Sequence, residues 1–286
     1  MPTKEVVSYL AKYGYMSAGD GGLRGALMRF QSFMGLPVTG VMDKRCEEVM
    51  KMPRCGLPDM VKPYRMGRRH KRFAVQRSRW SQTNLTYKIV RYSKKLKRDV
   101  VDRDVKEAFD LWGRHLNKTF TQKTVGLADT DLGFYVGFDL WGRHLNKTFT
   151  QKTVGLADTD LGFYVGRHSD EAPFDGPGEV YAHAFFPVSH DEAPFDGPGE
   201  VYAHAFFPIF GGDIHFDESE RWTSNEKGGV NFKQVVIHEV GHSIGLRHSR
   251  HANAVMYPMY KNTQDRPELT EDDLRGIRWL YRQRRT

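Results

Sequence analysis

The chain has 286 residues, 39% hydrophobic and 13% aromatic, enough to bury one large core and one small one. No apolar run nears the roughly 18 residues of a membrane span, and two cysteines allow at most one disulfide, so a transmembrane bundle and a disulfide-built scaffold are both excluded. The net charge of +8 sits in residues 1–72, with 14 Lys+Arg against 6 Asp+Glu; the remainder carries 29 of each, which argues against a nucleic-acid partner.

The opening stretch, MPTKEVVSYLAKYG, lacks the apolar segment of a secretory signal, so the expectation is an intracellular protein or an incomplete N-terminus. Residues 4–13 and 22–35 repeat apolar positions at helical spacing, and 43–52 reads as a third short helix after the turn GLPVTGVMD. These three predict a small helical domain over 1–52. PRCGLPD (53–59) is a fixed turn presenting Cys55, followed by the basic stretch KPYRMGRRHKRFAVQRSR (62–79). A Cys46–Cys55 bridge is the plain reading of that thiol; the motifs further on need it free. TNLTYKIVRY (83–92) alternates as a strand and VVDRDVKEAFDLWGRHL (100–116) as an amphipathic helix.

The chain then repeats itself. Residues 109–137 recur identically as 138–166, and 170–187 as 191–208. Each block occurs only twice and the two differ in length, which is not a solenoid pattern. Identity of this kind points to a recent duplication or, by preference, to an error in joining the gene. Excising either copy leaves the same string.

KQVVIHEVGHSIGLRH (233–248) carries the chemistry. His238 and His242, four apart, project from one helix face. Gly245 permits the left-handed turn that ends the helix and swings His248 round as a third ligand. Three imidazoles suit zinc and leave a fourth position open, as hydrolysis requires. Glu239, beside the first ligand, takes the proton of a metal-activated water and delivers it to the leaving amine. The extended HExxHxxGxxH pattern is far more specific than HExxH alone. NAVMYP (253–258) supplies Met256 for a turn beneath the metal.

With these motifs the chain resembles the matrix metalloproteinases, within the metzincin class, over nearly its whole length. PRCGLPD resembles the family's cysteine switch, HEVGHSIGLRHS its zinc helix, AVMYPMY its Met-turn, and YLAKYGYM with FQSFMGLPVTG its propeptide. The resemblance implies an α+β fold: a metzincin catalytic domain with a twisted mixed sheet over 73–286, preceded by a three-helix, peptidoglycan-binding-like prodomain and a switch-and-linker segment, 53–72. It implies a latent zinc endopeptidase in which Cys55 is the fourth zinc ligand. Arg69-His70-Lys71-Arg72 fits a furin-like convertase site, cut after Arg72 to expose Phe73, whose new N-terminus would dock at Asp272 and Asp273.

The resemblance further implies a structural zinc on His168, Asp170, His183 or His204, and His215. It implies calcium on Asp196, Gly197, Gly199, Val201, Asp217 and Glu220, with Asp175, Gly176, Gly178 and Val180 as the first-copy equivalents. A second calcium would draw on Asp158, Gly211 and Asp213. Lys95 stands where many relatives carry an acidic calcium ligand, and Glu200 and His251-Ala252 also depart from the family pattern. Val235, Tyr202, Ala203, Pro258 and Tyr260 match the substrate pocket, with VYAHA as an edge strand for an extended peptide. Extracellular matrix proteins, denatured collagen among them, are the implied substrates, and protein inhibitors of metalloproteinases the implied further partners. Secretion is implied too, with which sequons at Asn84, Asn117 and Asn146 are compatible. No hemopexin-like segment follows residues 270–283 here, which moves the expectation away from triple-helical collagen. A zinc-bearing binding module without catalysis, its cleft spoiled by the duplications, is the alternative.

Overall fold

The computed structural model describes residues 1–16, 21–60, 78–135, 195, 197–224, 228–260 and 268–281. Three helices open the chain: α1 (Thr3–Lys12), α2 (Gly22–Met34) and α3 (Lys44–Met50). They bury Leu10, Tyr15, Phe30 and Phe33 against one another. Helix α2 stops at Gly35, whose φ of 69° provides the left-handed cap, and α3 starts at Asp43, whose carboxylate accepts from Cys46 N at 2.8 Å. Both cysteines are free and buried, so the bridge reading of Cys55 falls; Cys46 instead packs in this helical core, accepting from Gln31 Nε2.

Among the described residues the larger core is organised by a six-stranded sheet. Its strands are β1 (Arg54–Cys55), β2 (Asn84–Arg91), β3 (Thr119–Gln122), β4 (Thr130–Tyr135), β5 (Val201–Ala205) and β6 (Ile214–Asp217), in the order β1-β5-β6-β4-β2-β3. Only β5 and β6 run antiparallel. Helix α4 (Arg98–Leu116) makes the crossover between the parallel strands β2 and β3. A small pair, β7 (Trp222–Thr223) and β8 (Val230–Asn231), leads into α5 (Phe232–Ser243); α6 (Glu271–Leu280) closes the described chain. The helices expected over 4–13, 22–35, 43–52 and 100–116 and the strand over 83–92 appear within two residues of those bounds, and the sheet is mixed as expected.

Phe134, Phe216, Trp222 and Phe232 meet edge-on or tilted at 5.0–6.0 Å between sheet and helix α5. Each such ring contributes roughly 1.5–3 kcal/mol by leaving water. Trp112 of α4 donates to Ile237 O at 2.8 Å, which fixes α5 against the long helix. The repeats enter unequally. The described strands β3 and β4 come from the first copy of the long block, and β5 from the second copy of the short one.

Candidate metal centre

Helix α5 brings His238 and His242 to one face. It ends in a Schellman motif: Leu246 N donates to Gly241 O at 2.9 Å and Gly245 N to His242 O at 2.8 Å, with Gly245 at φ 105°. A Cβ on Gly245 would meet Ser78 O at 2.4 Å, so glycine is required there. The chain reverses and returns His248 to the same point. Met256 lies beneath, because Gly241 has no side chain: a Cβ there would meet the Met256 sulfur at 2.2 Å.

Every imidazole is oriented through its Nδ1. His238 donates to Val255 O, His242 to Leu246 O and His248 to Asp59 Oδ1, each at 2.7 Å. The Nε2 lone pairs therefore converge, with 3.1 Å between those of His238 and His242. Two acceptors that close repel unless a cation lies between them; a tetrahedral zinc with bonds of about 2.0–2.1 Å sets such nitrogens about 3.3 Å apart. His248 Nε2 is buried without a hydrogen-bond partner. Cys55 completes the set: one ligand atom from each of Cys55, His238, His242 and His248 lies within 4.8 Å of the others, all four buried. Three nitrogens and a sulfur fit zinc.

The electrostatics agree. Burial drives the His238 pKa to about 3 and that of His242 well below the usual value, and lowers that of His248, so all three rings are neutral ligands. Burial, reinforced by the neighbouring Glu239 carboxylate, pushes the Cys55 thiol well above its ordinary range; a cation in the centre reverses that preference. Burial lifts Glu239 to about 7, against the pull of the Tyr260 hydroxyl, which donates to Oε1 at 2.6 Å.

Cys55 arrives on β1, added parallel to β5. Arg54 N donates to Glu200 O and Gly56 N to Ala203 O, both at 2.8 Å. On its other side Cys55 N donates to Pro258 O at 3.0 Å and Pro53 O accepts from Tyr260 N at 2.9 Å. Thus the segment fills the slot between β5 and the 258–260 wall. Of the pocket residues, Tyr202 and Tyr260 stack at 5.4 Å, while Val235 and Ala203 are buried in the same core.

The other expected metal residues are partly described. His204 and His215 face each other across β5 and β6, Nε2 to Nδ1 at 3.1 Å. His168, Asp170 and His183 lie outside the described residues, as do Asp158, Asp175, Gly176, Gly178, Val180, Asp196 and the linker residues Arg69, Lys71, Arg72 and Phe73. Gly197 and Gly199 have positive φ; Gly199 N donates to the Glu220 carboxylate at 2.6 Å, and Glu220 N donates to Asp217 O at 3.3 Å. Asp213 Oδ1 accepts from Asp131 N at 2.9 Å. Lys95 Nζ donates to Ser219 O and Glu220 O, both at 2.8 Å: an ammonium ties two carbonyls of the acidic loop.

Three supporting roles escaped the sequence reading, which had Tyr260 only as a pocket residue. Asp59 reaches His248, Tyr260 reaches Glu239, and Asp273 accepts from Val255 N and Met256 N at 3.0 and 3.1 Å, pinning the turn whose carbonyl orients His238. Asp273 was expected only as a docking partner for Phe73. Its position three residues after Thr270, in a capping box, was the available signal that its carboxylate is committed to helix α6.

These features define a zinc metallopeptidase, and comparison with known proteins identifies its kind. The matrixin (peptidase M10) family profile matches residues 79–138, 136–192 and 188–282, and a peptidoglycan-binding-domain profile matches 2–50. The chain belongs to the matrixin family, whose members are zinc metalloendopeptidases that use catalytic and structural zinc and calcium. It is 36% identical to matrilysin of Homo sapiens over 263 residues, 92% of this chain and 78% of that protein. It is 37% identical to interstitial collagenase of Sus scrofa over 89% of this chain and 42% of that protein, and 35% identical to stromelysin-1 of Equus caballus over the same shares. The chain thus spans less than half the length of the collagenase and stromelysin. The matrixin match breaks into three overlapping pieces near 136–138 and 188–192, where the repeated blocks meet.

Proposed function

We propose that the chain is a latent endopeptidase of the extracellular matrix, held inactive by Cys55 and cutting peptide bonds with Glu239 as general base. The observation that carries this reading is the convergence of a buried thiol and three oriented imidazoles within 4.8 Å. Zinc bound by His238, His242 and His248 supplies Lewis acidity toward a carbonyl and toward water. Cys55 excludes water from that position while the leader is docked. Glu239, buried and raised to about 7, accepts a proton from attacking water and passes it to the leaving amine. Tyr260 steadies the carboxylate through Oε1.

The organisation is a helical prodomain over 1–52, a switch and linker over 53–72, and the catalytic domain over 73–286. A furin-like convertase cuts after Arg72, and Phe73 becomes the new N-terminus, docking at Asp272. Loss of β1 frees the edge of β5, where an extended substrate adds as a strand with a side chain in the pocket of Val235, Tyr202, Ala203, Pro258 and Tyr260. The relatives' names, matrilysin and collagenase among them, favour matrix substrates, denatured collagen included, a secreted setting, and protein metalloproteinase inhibitors as partners. His204 and His215 hold a structural zinc with His168 and Asp170; Asp217, Glu220 and the glycine loop hold calcium.

A quenched peptide assay tests the reading. The untreated chain should be silent, convertase treatment should start chelator-sensitive turnover, and Cys55→Ser should raise turnover of the uncut chain by about tenfold or more, at ~1.4 kcal/mol per tenfold. Zinc uptake with no turnover under any of these conditions would leave only a binding module.

A further inference from the structure

The three imidazoles are not supported alike. His238 and His242 donate from Nδ1 to the carbonyls of Val255 and Leu246, which lie in the catalytic part of the chain and stay with it. His248 donates to a carboxylate, and that carboxylate belongs to the leader, 189 residues away in sequence. Both side chains are fully buried. Asp59 is held ready for this: Arg54 donates to Oδ1 and Tyr15 to Oδ2, each at 2.6 Å. The Arg54 guanidinium lies 3.3 Å over the Tyr13 ring and donates to Tyr9, so the whole support comes from the prodomain and its switch.

We propose that Asp59 is a positioning residue for the metal: through His248 Nδ1 it fixes the ring so that Nε2 faces the centre, and it strengthens that ligand. This rests on the latent-protease reading and deepens it. The leader then contributes two groups, a thiol at the fourth position and a carboxylate behind the third ligand. Its departure removes both, and the uncut chain holds zinc more tightly than its thiol alone provides. A carboxylate behind a ligating histidine raises the ring's basicity and holds its tautomer; losing such a partner costs about 10- to 100-fold in metal affinity.

The experiment is chelator competition for zinc in the uncut chain, compared across four proteins. Asp59→Asn should weaken zinc binding by about 10- to 100-fold. Tyr15→Phe, which removes another donor to the same carboxylate, should leave the affinity at the wild-type level. Arg54→Met breaks the same buried ion pair but leaves the Asp59 carboxylate in place, and protection of Cys55 from thiol reagents in each variant shows whether the leader is still docked. Nitrogen-15 histidine NMR supplies a second readout: the His248 Nδ1–H resonance should shift in Asp59→Asn and stay put in Tyr15→Phe. Unchanged affinity in Asp59→Asn, or equal weakening in Asp59→Asn and Arg54→Met with Cys55 still protected in both, overturns the proposal while the latent-protease reading stands. A wild-type chain that takes up no zinc overturns both.

Discussion

The stretches 53–59 and 238–260 face each other across one metal centre and are built on different principles. The second is held by its own backbone: the carbonyls of Val255 and Leu246 aim two of its histidines, and a Schellman turn returns the third. The first adds a buried charge pair to its backbone bonds with β5 and residues 258–260. Arg54 and Asp59 form an ion pair with side chains 2% and 0% exposed; burial works to raise the Asp59 pKa, but Arg54 and His248 keep it below the usual carboxylate range. A backbone-held site survives the loss of its opposite wall. Both members of the pair belong to the leader and move with it, so undocking gives up the Asp59–His248 bond and the backbone bonds of β1 without stranding either charge from the other.

The difference is testable from the permanent side first. Glu239→Ala should lower kcat/KM of the processed enzyme by about 10²- to 10⁴-fold, ~3–5 kcal/mol of barrier, with zinc content unchanged. Activity within tenfold of the parent would mean that another group takes the proton. Next, Asp273→Ala strands the amides of Val255, Met256 and Thr270, and should destabilise the protein by about 2–4 kcal/mol in denaturant unfolding. A loss no larger than that of an exposed helix cap, roughly 1 kcal/mol, would show that the turn stands without it.

On the removable side, Gly56→Ala sets a methyl 2.9 Å from Val201 Cγ1 and 3.2 Å from His204 Cβ, where β1 meets β5. Overpacking of this kind costs about 1–3 kcal/mol. Since the strain exists only when the latch is closed, thiol reagents should modify Cys55 in the uncut chain about 5- to 100-fold faster. Unchanged Cys55 reactivity would mean that β1 is not packed against Val201 and His204 as closely as its backbone bonds to β5 imply.

How much of this was legible follows the same division. The contiguous wall was read directly, since spacing of four on a helix and a glycine before the third histidine dictate convergence. The helices of the leader were legible from their apolar periodicity, and β2 from its alternation. The side-chain ties were not: Asp59 to His248, between the walls, spans 189 residues and Tyr260 to Glu239, within one wall, spans 21, and neither lies on a common helix or strand whose period would expose it. His204 and His215 were foreseen as partners but not as cross-strand neighbours, because register is set by pairing that the sequence pattern leaves open. The repeats hid which copies build the sheet, since identical strings carry identical propensities.

The smallest expected effect lies where the walls touch. Tyr260 donates its amide to Pro53 O in the latch and its hydroxyl to Glu239 in the permanent site. Tyr260→Phe keeps the amide and the stack on Tyr202, and removes only the hydroxyl. A buried hydrogen bond of this kind contributes about 0.5–1.5 kcal/mol, so kcat of the processed enzyme should fall between about two- and tenfold. The latch should be unaffected, because its bond to residue 260 comes from the backbone. Faster Cys55 modification in uncut Tyr260→Phe would therefore show that the hydroxyl couples the two walls, and that Glu239 is held in place partly by the leader that blocks it.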